Sequence, residues 1–212
     1  MNVLELFAGS CTFSRMAKLL GFDTFASDIK PFNGVDYVTD ILNFDLSKMP
    51  FYPDIIWASP PCTAFSVASM GYHWKGGNKG YIPATEAASQ GIRLVKATLE
   101  IIYSLKPTFF FIENPRGLLR KFINDIPRTT VMYCQYGDNR MKPTDIWSNN
   151  LWSIWNTHGF LGKTCYNNNK KCHHIPAPRG SRTGTQGLSN AYERSKIPEK
   201  LCVEILQSCL NG

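Results

Sequence analysis

"NVLELFAGSCTFSRMAKLLGFDTFASD", residues 2–28, decides the fold. Residues 2–7 are an apolar run of strand length ending in the small residues of "AGSCT". In "FSRMAKLL", Phe13, Met16, Ala17 and Leu20 recur at helical spacing, and Gly21 stops the helix. Residues 22–28 read as a second strand. The turn between strand and helix brings bare backbone and a helix amino terminus near a ligand. It holds a single glycine, so it is not the dinucleotide fingerprint. Asp28, at the end of the second strand and about twenty residues on, stands where an acid accepts hydrogen bonds from ribose hydroxyls. A plain tight turn followed by a capping aspartate is the other reading.

The pattern continues outward. "DYVTDIL" predicts a third strand and "DIIWA", 54–58, a fourth. The polar stretch 59–81 is too long for an ordinary strand–helix connection, so it is functional or mobile. "ATEAASQGIRLVKATLEIIYSL" is a long amphipathic helix with Thr85 and Glu86 in its first turn, closed by Pro107. "TFFFIEN" and "TTVMYCQYG" are the fifth and sixth strands. "IPEKLCVEILQSCL" is a terminal helix with Leu201, Ile205, Leu206 and Cys209 on one face. Strands alternating with helices predict an α/β fold, a mostly parallel, doubly wound sheet covered on both faces. Residues 1–148 form the main domain, 149–190 a small irregular segment, and 191–212 a helix packing back on the main domain.

The chain has 212 residues, 43% of them hydrophobic, enough for one substantial core. No run reaches the ~18–20 consecutive apolar residues of a membrane span, and no basic-then-apolar leader opens the chain. The seven cysteines are an odd number and read as free thiols of a reducing, cytoplasmic compartment. The net charge is +7. Between Asn149 and Asn190 stand Lys163, Lys170, Lys171, Arg179 and Arg182 without one carboxylate. That asymmetry points to a polyanion, nucleic acid first, against the plainer reading of a solvated face.

Three further stretches carry chemistry. In "SPPC", 59–62, two prolines stiffen the backbone before Cys62. The thiol is either inert packing or, near a helix amino terminus or a cation, a nucleophile of lowered pKa. In "FFFIENP", Glu113 and Asn114 end a very apolar strand. An unpaired buried carboxylate is costly, so Glu113 either belongs to a site or pairs with Arg116 or Arg120. Desolvation favours its protonated form, which suits a proton donor. In "QYGDNRMK", Arg140 and Lys142 alternate on a strand edge facing the same cleft, or are ordinary surface charge.

In this order the four stretches resemble the C5-cytosine DNA methyltransferases, in the form of a compact phage-type member. The resemblance covers residues 2–148 and resumes at 190–210, where "SNAYERSKIPEKL" is similar to the family's last motif. "LFAGS" looks like its first cofactor motif, "SPPC" its nucleophile motif, "ENP" its glutamate motif and "QYGDNRMK" its arginine-bearing motif. Three departures stand out: Ser10-Cys11 in place of a second glycine, "ENP" for "ENV", and a recognition segment much shorter than the usual separate lobe.

The resemblance implies S-adenosylmethionine as cofactor, with Phe7 against the adenine, Gly9 and Ser10 near the methionine part, Asp28 on the ribose and Asp40 at the adenine amine. Ala8, Ile29, Ile41, Pro60 and Asn190 complete that pocket. It implies catalysis by Cys62, Glu113 and Arg140 on a cytosine flipped out of double-stranded DNA. Pro61, Ser66, Asn114, Lys142, Lys170, Lys171, Arg179 and Arg182 would hold the substrate, with 67–81 closing over the base and Trp147, Trp152 and Trp155 anchoring the basic segment. The expected protein is a monomer in the cytoplasm of a bacterial or phage-infected host cell, and no membrane partner is expected.

"CYNNNKKCHH" offers Cys165, Cys172, His173 and His174 as metal ligands. The C-x6-C-H-H spacing is irregular and adjacent histidines rarely both reach one ion, so no metal is assigned. A zinc cytidine deaminase needs H-x-E and P-C-x-x-C, which are absent. A methylase of free pyrimidine nucleotides leaves the acid-free basic segment unexplained. An RNA cytosine C5-methyltransferase on the same fold and a catalytically idle DNA-binding relative are the alternatives.

Overall fold

A computed structural model of the chain describes residues 1–77, 80–150, 165–177 and 190–210. Its centre is a seven-stranded sheet built from β1 (Asn2–Leu6), β2 (Asp23–Asp28), β3 (Tyr37–Val38), β4 (Ile55–Ala58), β7 (Phe109–Pro115), β8 (Arg128–Met132) and β9 (Pro143–Ser148). The order is β3-β2-β1-β4-β7-β9-β8. The first five strands of that order are parallel, with Leu4 opposite both Phe25 and Ile56, and Ile56 opposite Phe110. β9 runs antiparallel to β7 and to β8. The expected mostly parallel, doubly wound sheet is therefore present, closed at one edge by the antiparallel β9 and β8, of which the six strands read from the sequence lack only β9.

Period-2 alternation splits the core between the two faces. Val3, Ile55, Trp57 and Phe111 point one way, onto Phe13 and Met16 of α1 (Thr12–Leu19) and onto Leu201, Ile205 and Leu206 of the terminal helix Glu199–Leu210. Leu4, Leu6, Ile56, Ala58, Phe110 and Ile112 point the other way, onto Val95 and Ile102 of α3 (Glu86–Leu105). Each large aliphatic or phenyl side chain so buried contributes roughly 1.5–3 kcal/mol. The α3 start is capped by Thr85, whose hydroxyl accepts from Ala88 N–H at 3.3 Å.

The chain winds from β1 outward to β2 and β3, then crosses back to β4 and β7. The carboxyl ends of β1 and β4 therefore flank the switch in winding direction, where α/β sheets open a crevice. After Ser66 the described residues form α2 (Met70–His73) and β5 (Trp74–Lys75), which pairs antiparallel with β6 (Ile82–Pro83). Trp74 is buried and its indole N–H donates to Ala64 O at 2.6 Å. "DYVTDIL" yields only the two-residue β3, because Asp40 caps a 3-10 turn, Ile41–Asn43, instead of continuing the strand.

Candidate active site

β1 leaves the sheet through three residues in left-handed backbone: Phe7 (φ 57°), Gly9 (φ 49°) and Cys11 (φ 49°). Only the glycine adopts this freely, and for the other two it costs on the order of 1–2 kcal/mol each. The turn is held by Ala8 N–H on Ser27 O at 3.0 Å and Cys11 N–H on Ala8 O at 2.7 Å. Gly9 N–H donates to Asp28 Oδ2 at 2.9 Å, and Lys30 N–H to Oδ1 at 2.9 Å. Beneath the turn Glu5 is buried, accepts from Ser14 N–H at 2.8 Å, and is pushed up to about 7 by desolvation.

The residues fit the group that the first motif implies. A carboxylate has roughly four acceptor positions, so Asp28 keeps two for a diol after its backbone bonds. Asp40 uses Oδ1 on Leu42 N–H at 3.0 Å. Ile29 is 62% exposed beside Asp28, an apolar surface suited to a purine ring, with half-buried Phe7 and buried Ile41 close in sequence to the two acids. Ser10 and Thr12 line a cleft of about 350 Å³ with Tyr192, Lys196 and Ile197. The C-terminal segment thus returns to the first motif. Asn190 begins that return by capping its short helix α4 (Ala191–Ser195), its side-chain oxygen accepting from Tyr192 N–H at 2.9 Å.

Cys62 follows β4, and Glu113 lies near the end of β7, the next parallel strand. The Cys62 carbonyl accepts from Phe65 and Ser66 N–H, both at 3.0 Å, so the thiol starts a helical turn. Two glycines clamp that turn. A Cβ on Gly91 of α3 would meet the Phe65 ring at 2.9 Å, and one on Gly117 would meet Phe65 O at 2.2 Å. Buried Pro60 accepts at its carbonyl from Asn114 Nδ2 at 2.8 Å, tying the Cys62 loop to the Glu113 strand. Asn114 Oδ1 is buried without a partner, an acceptor free for a ligand. Pro61 is exposed, and Ser66 shares a hydroxyl bond with Ser69 at 2.8 Å.

Glu113 is 5% exposed, and neither Arg116 nor Arg120 pairs with it. It accepts the Tyr133 hydroxyl at 2.9 Å, and Lys142 Nζ stands 3.8 Å away. Tyr133 is itself fully buried, and desolvation first, then Glu113, raises its pKa. Burial likewise pushes the Cys62 thiol up; Lys142 opposes this and Glu113 adds to it. The lowered thiol that a cationic setting would give is not found, because desolvation outweighs the two cations acting on it, Lys142 and Arg194.

Cys62 and the buried Glu113 thus stand on adjacent strand ends, with Asp28 at the end of β2. The family model of C-5 cytosine-specific DNA methylases matches residues 1–128.

This chain belongs to that family.

As a member it is an enzyme of the cytosine-C5 methyltransferase class. Over 225 residues it is 28% identical to the probable DNA (cytosine-5)-methyltransferase of Frog virus 3 (isolate Goorha), covering 99% of this chain and 100% of that protein. A crystal structure of a triple mutant of Spodoptera frugiperda DNMT2 aligns with TM-score 0.46 and 18% identity, covering 82% of this chain and 57% of that one. Among the described residues no helix is long and apolar enough to cross a membrane.

In this methylase Arg140 and Lys142 lie in the loop before β9, not on a strand edge, and their contacts differ from expectation. Arg140 is 5% exposed, but its guanidinium forks onto Asp138, with Nε at 2.8 Å from Oδ1. Its remaining N–H groups donate to the carbonyls of Glu193 (3.1 Å), Arg194 (2.9 Å) and Lys196 (3.0 Å). An aspartate two residues away captures the fork, so Lys142 is the cation beside Glu113. Lys142 also donates to Arg194 O at 3.2 Å and lies 4.5 Å from the Tyr133 ring centre. Tyr133, Gly91 and Gly117 escaped sequence reading. "TTVMYCQYG" alternates like a strand throughout, yet β8 ends at Met132 and Tyr133–Tyr136 is a 3-10 turn.

Lys170 and Lys171 are exposed, as a phosphate-binding role requires. Arg179, Arg182, Trp152 and Trp155 lie outside the described residues. Trp147 is core, 0% exposed, its indole N–H on Ile123 O at 3.0 Å. The sulfur-rich run folds onto the turn after β8. Cys165, Cys172 and His174 gather there around Cys134, while His173 turns its Nε2 to Asp138 O at 3.0 Å.

Proposed function

We propose that this methylase transfers a methyl group from S-adenosylmethionine to C5 of cytosine in double-stranded DNA, through a transient bond between Cys62 Sγ and C6 of an extruded base. The observation that carries the reading is Cys62 and Glu113 on neighbouring strand ends, joined through the Asn114–Pro60 bond, with Lys142 3.8 Å from Glu113 and its charge acting on Cys62.

When bound, the cofactor supplies an electrophilic methyl carbon on its sulfonium, which C5 accepts. Cytosine C5 is a poor nucleophile until a group adds across the ring. Cys62, as thiolate, bonds to C6 while Glu113 gives a proton to N3, and the ring's electron density collects at C5. Once C5 is alkylated, a base takes the C5 proton, and the freed electron pair re-forms the C5–C6 double bond as the C6–Sγ bond breaks. Sγ leaves as thiolate and the N3 proton returns to Glu113. Lys142 favours the thiolate by its charge, and Tyr133 fixes the Glu113 carboxyl by its hydroxyl. Arg140 acts as a positioning residue, fastening residues 193–196 beside the site. Phe7, Ala8, Gly9, Ser10, Asp28, Ile29, Asp40, Ile41, Pro60 and Asn190 would hold the cofactor. Pro61, Ser66 and Asn114 would contact the flipped base.

Extrusion costs a few kcal/mol of unstacking, offset by phosphate contacts from Lys170, Lys171, Arg179 and Arg182. The protein acts as a monomer in a reducing host-cell cytoplasm, a setting that the free thiols support.

Cys62→Ala tests the reading. Transfer of labelled methyl to duplex DNA should vanish while cofactor binding persists. Undiminished turnover would refute the mechanism, and label entering RNA but not DNA would refute the substrate.

A further inference from the structure

We propose that Cys134, Cys165, Cys172 and His174 bind one zinc ion, which fastens the basic segment to the catalytic domain. Their ligand atoms all lie within 4.8 Å of one another. Cys165 Sγ and His174 Nδ1 are 3.5 Å apart. Tetrahedral zinc, with bonds near 2.3 Å to sulfur and about 2.0–2.1 Å to nitrogen, sets ligand atoms roughly 3.5–3.8 Å from each other. The cluster is thus within about an ångström of closing on an ion.

The four residues come from two distant parts of the chain. Cys134, 2% exposed, belongs to the turn Tyr133–Tyr136 after β8. The other three belong to the stretch 165–174. That stretch has little with which to build a core: Tyr166 is 67% exposed, and Asn167, Asn168, Lys170 and Lys171 are exposed too. It contains no helix or strand. Yet His174 is 5% exposed against the domain. A polar, basic segment cannot dock by apolar burial, and a metal staple is the means small modules use instead.

The surroundings suit thiolates. Gln135 Nε2 lies 3.6 Å from Cys134 Sγ and 3.9 Å from Cys172 Sγ, and Asn169 Nδ2 lies 3.5 Å from Cys165 Sγ. Such amide donors orient metal-bound sulfurs and temper their charge. His173 faces Asp138 O, so two adjacent histidines need not share the ion. Three sulfurs and one imidazole select zinc over harder cations and leave no open position, so the site is structural. Binding releases the thiol protons and stabilises the docked segment. It also sets Lys170 and Lys171 relative to Tyr133, whose hydroxyl holds Glu113.

The full chain, purified from zinc-supplemented cells, should carry about one zinc per molecule. Cobalt added after chelator release should give the intense visible and thiolate charge-transfer bands of a tetrahedral site. Cys165→Ser, Cys172→Ser and His174→Ala should each lower metal content at least about tenfold, and His173→Ala should leave it unchanged. Three results would overturn the proposal: wild-type protein that takes up neither zinc nor cobalt, a mass deficit showing a Cys165–Cys172 disulfide, or equal metal loss from His173→Ala. The readout is metal content, so it stands apart from the assay of methyl transfer.

Discussion

Glu113 and Asp145 are buried acids on neighbouring antiparallel strands, with Asn114 facing Asp145 in register. Asp145, 0% exposed, takes two guanidinium N–H groups from Arg120 at 2.5 Å and the Thr130 hydroxyl at 2.7 Å. Glu113 has one tyrosine hydroxyl at 2.9 Å and an ammonium at 3.8 Å. One carboxylate is saturated by a fork and serves the fold. The other is held in place yet keeps lone pairs for a further partner. Both are buried, and the degree of satisfaction is what sets them apart.

The sharpest break in that comparison is Glu113→Gln. Turnover should fall roughly 10²–10⁴-fold, the usual span for losing a general acid, while the melting temperature holds, because glutamine still accepts the Tyr133 hydroxyl. Single-turnover methylation beside thermal melting checks both halves, and a wild-type rate would make Glu113 a second structural acid.

Asp145→Asn should do the reverse. It should cost about 3 kcal/mol of stability by stranding Arg120, with the folded fraction keeping its specific activity. Denaturant titration measures it; a stable but inactive variant would put Asp145 in the chemistry.

The smallest effect is expected from Lys142→Met. Burial holds the Cys62 thiol above its ordinary value, so thiolate and rate grow as pH rises. Removing the cation that opposes burial pushes the thiol higher still. The rising limb of kcat/KM should move to higher pH, and at a fixed pH below it the rate should fall about tenfold for every pH unit the limb has moved. An unmoved limb would leave Arg194, the weaker of the two cations acting on Cys62, as its partner.

Much of the site was legible because chemistry-bearing residues stood at the ends of apolar runs. Gly9, Asp28, Cys62 and Glu113 each follow or close a strand, and strand ends are where a doubly wound sheet opens. The glutamate's neighbours were not legible. Tyr133 sits in a run that alternates like a strand but coils, and nothing in "QYGDNRMK" sets Lys142 ahead of Arg140 as the cation beside Glu113. The aspartate that occupies Arg140 is visible in "DNR", but not the geometry of its fork. Gly91 reads as an ordinary weak spot in a helix, although any side chain there would strike Phe65. Cys134 lies far along the chain from Cys165, so the spacing within 165–174 does not show that it joins the cluster.

By itself the sequence determined the parallel sheet, its crossover helices and the candidates for nucleophile and acid, since local periodicity and residue chemistry are carried within single segments. Only the tertiary structure decided which cation faces Glu113, what clamps the Cys62 turn, and which sulfurs meet. Those depend on contacts between segments distant in sequence, where a competing partner such as Asp138 or an incoming ring such as Phe65 changes the outcome.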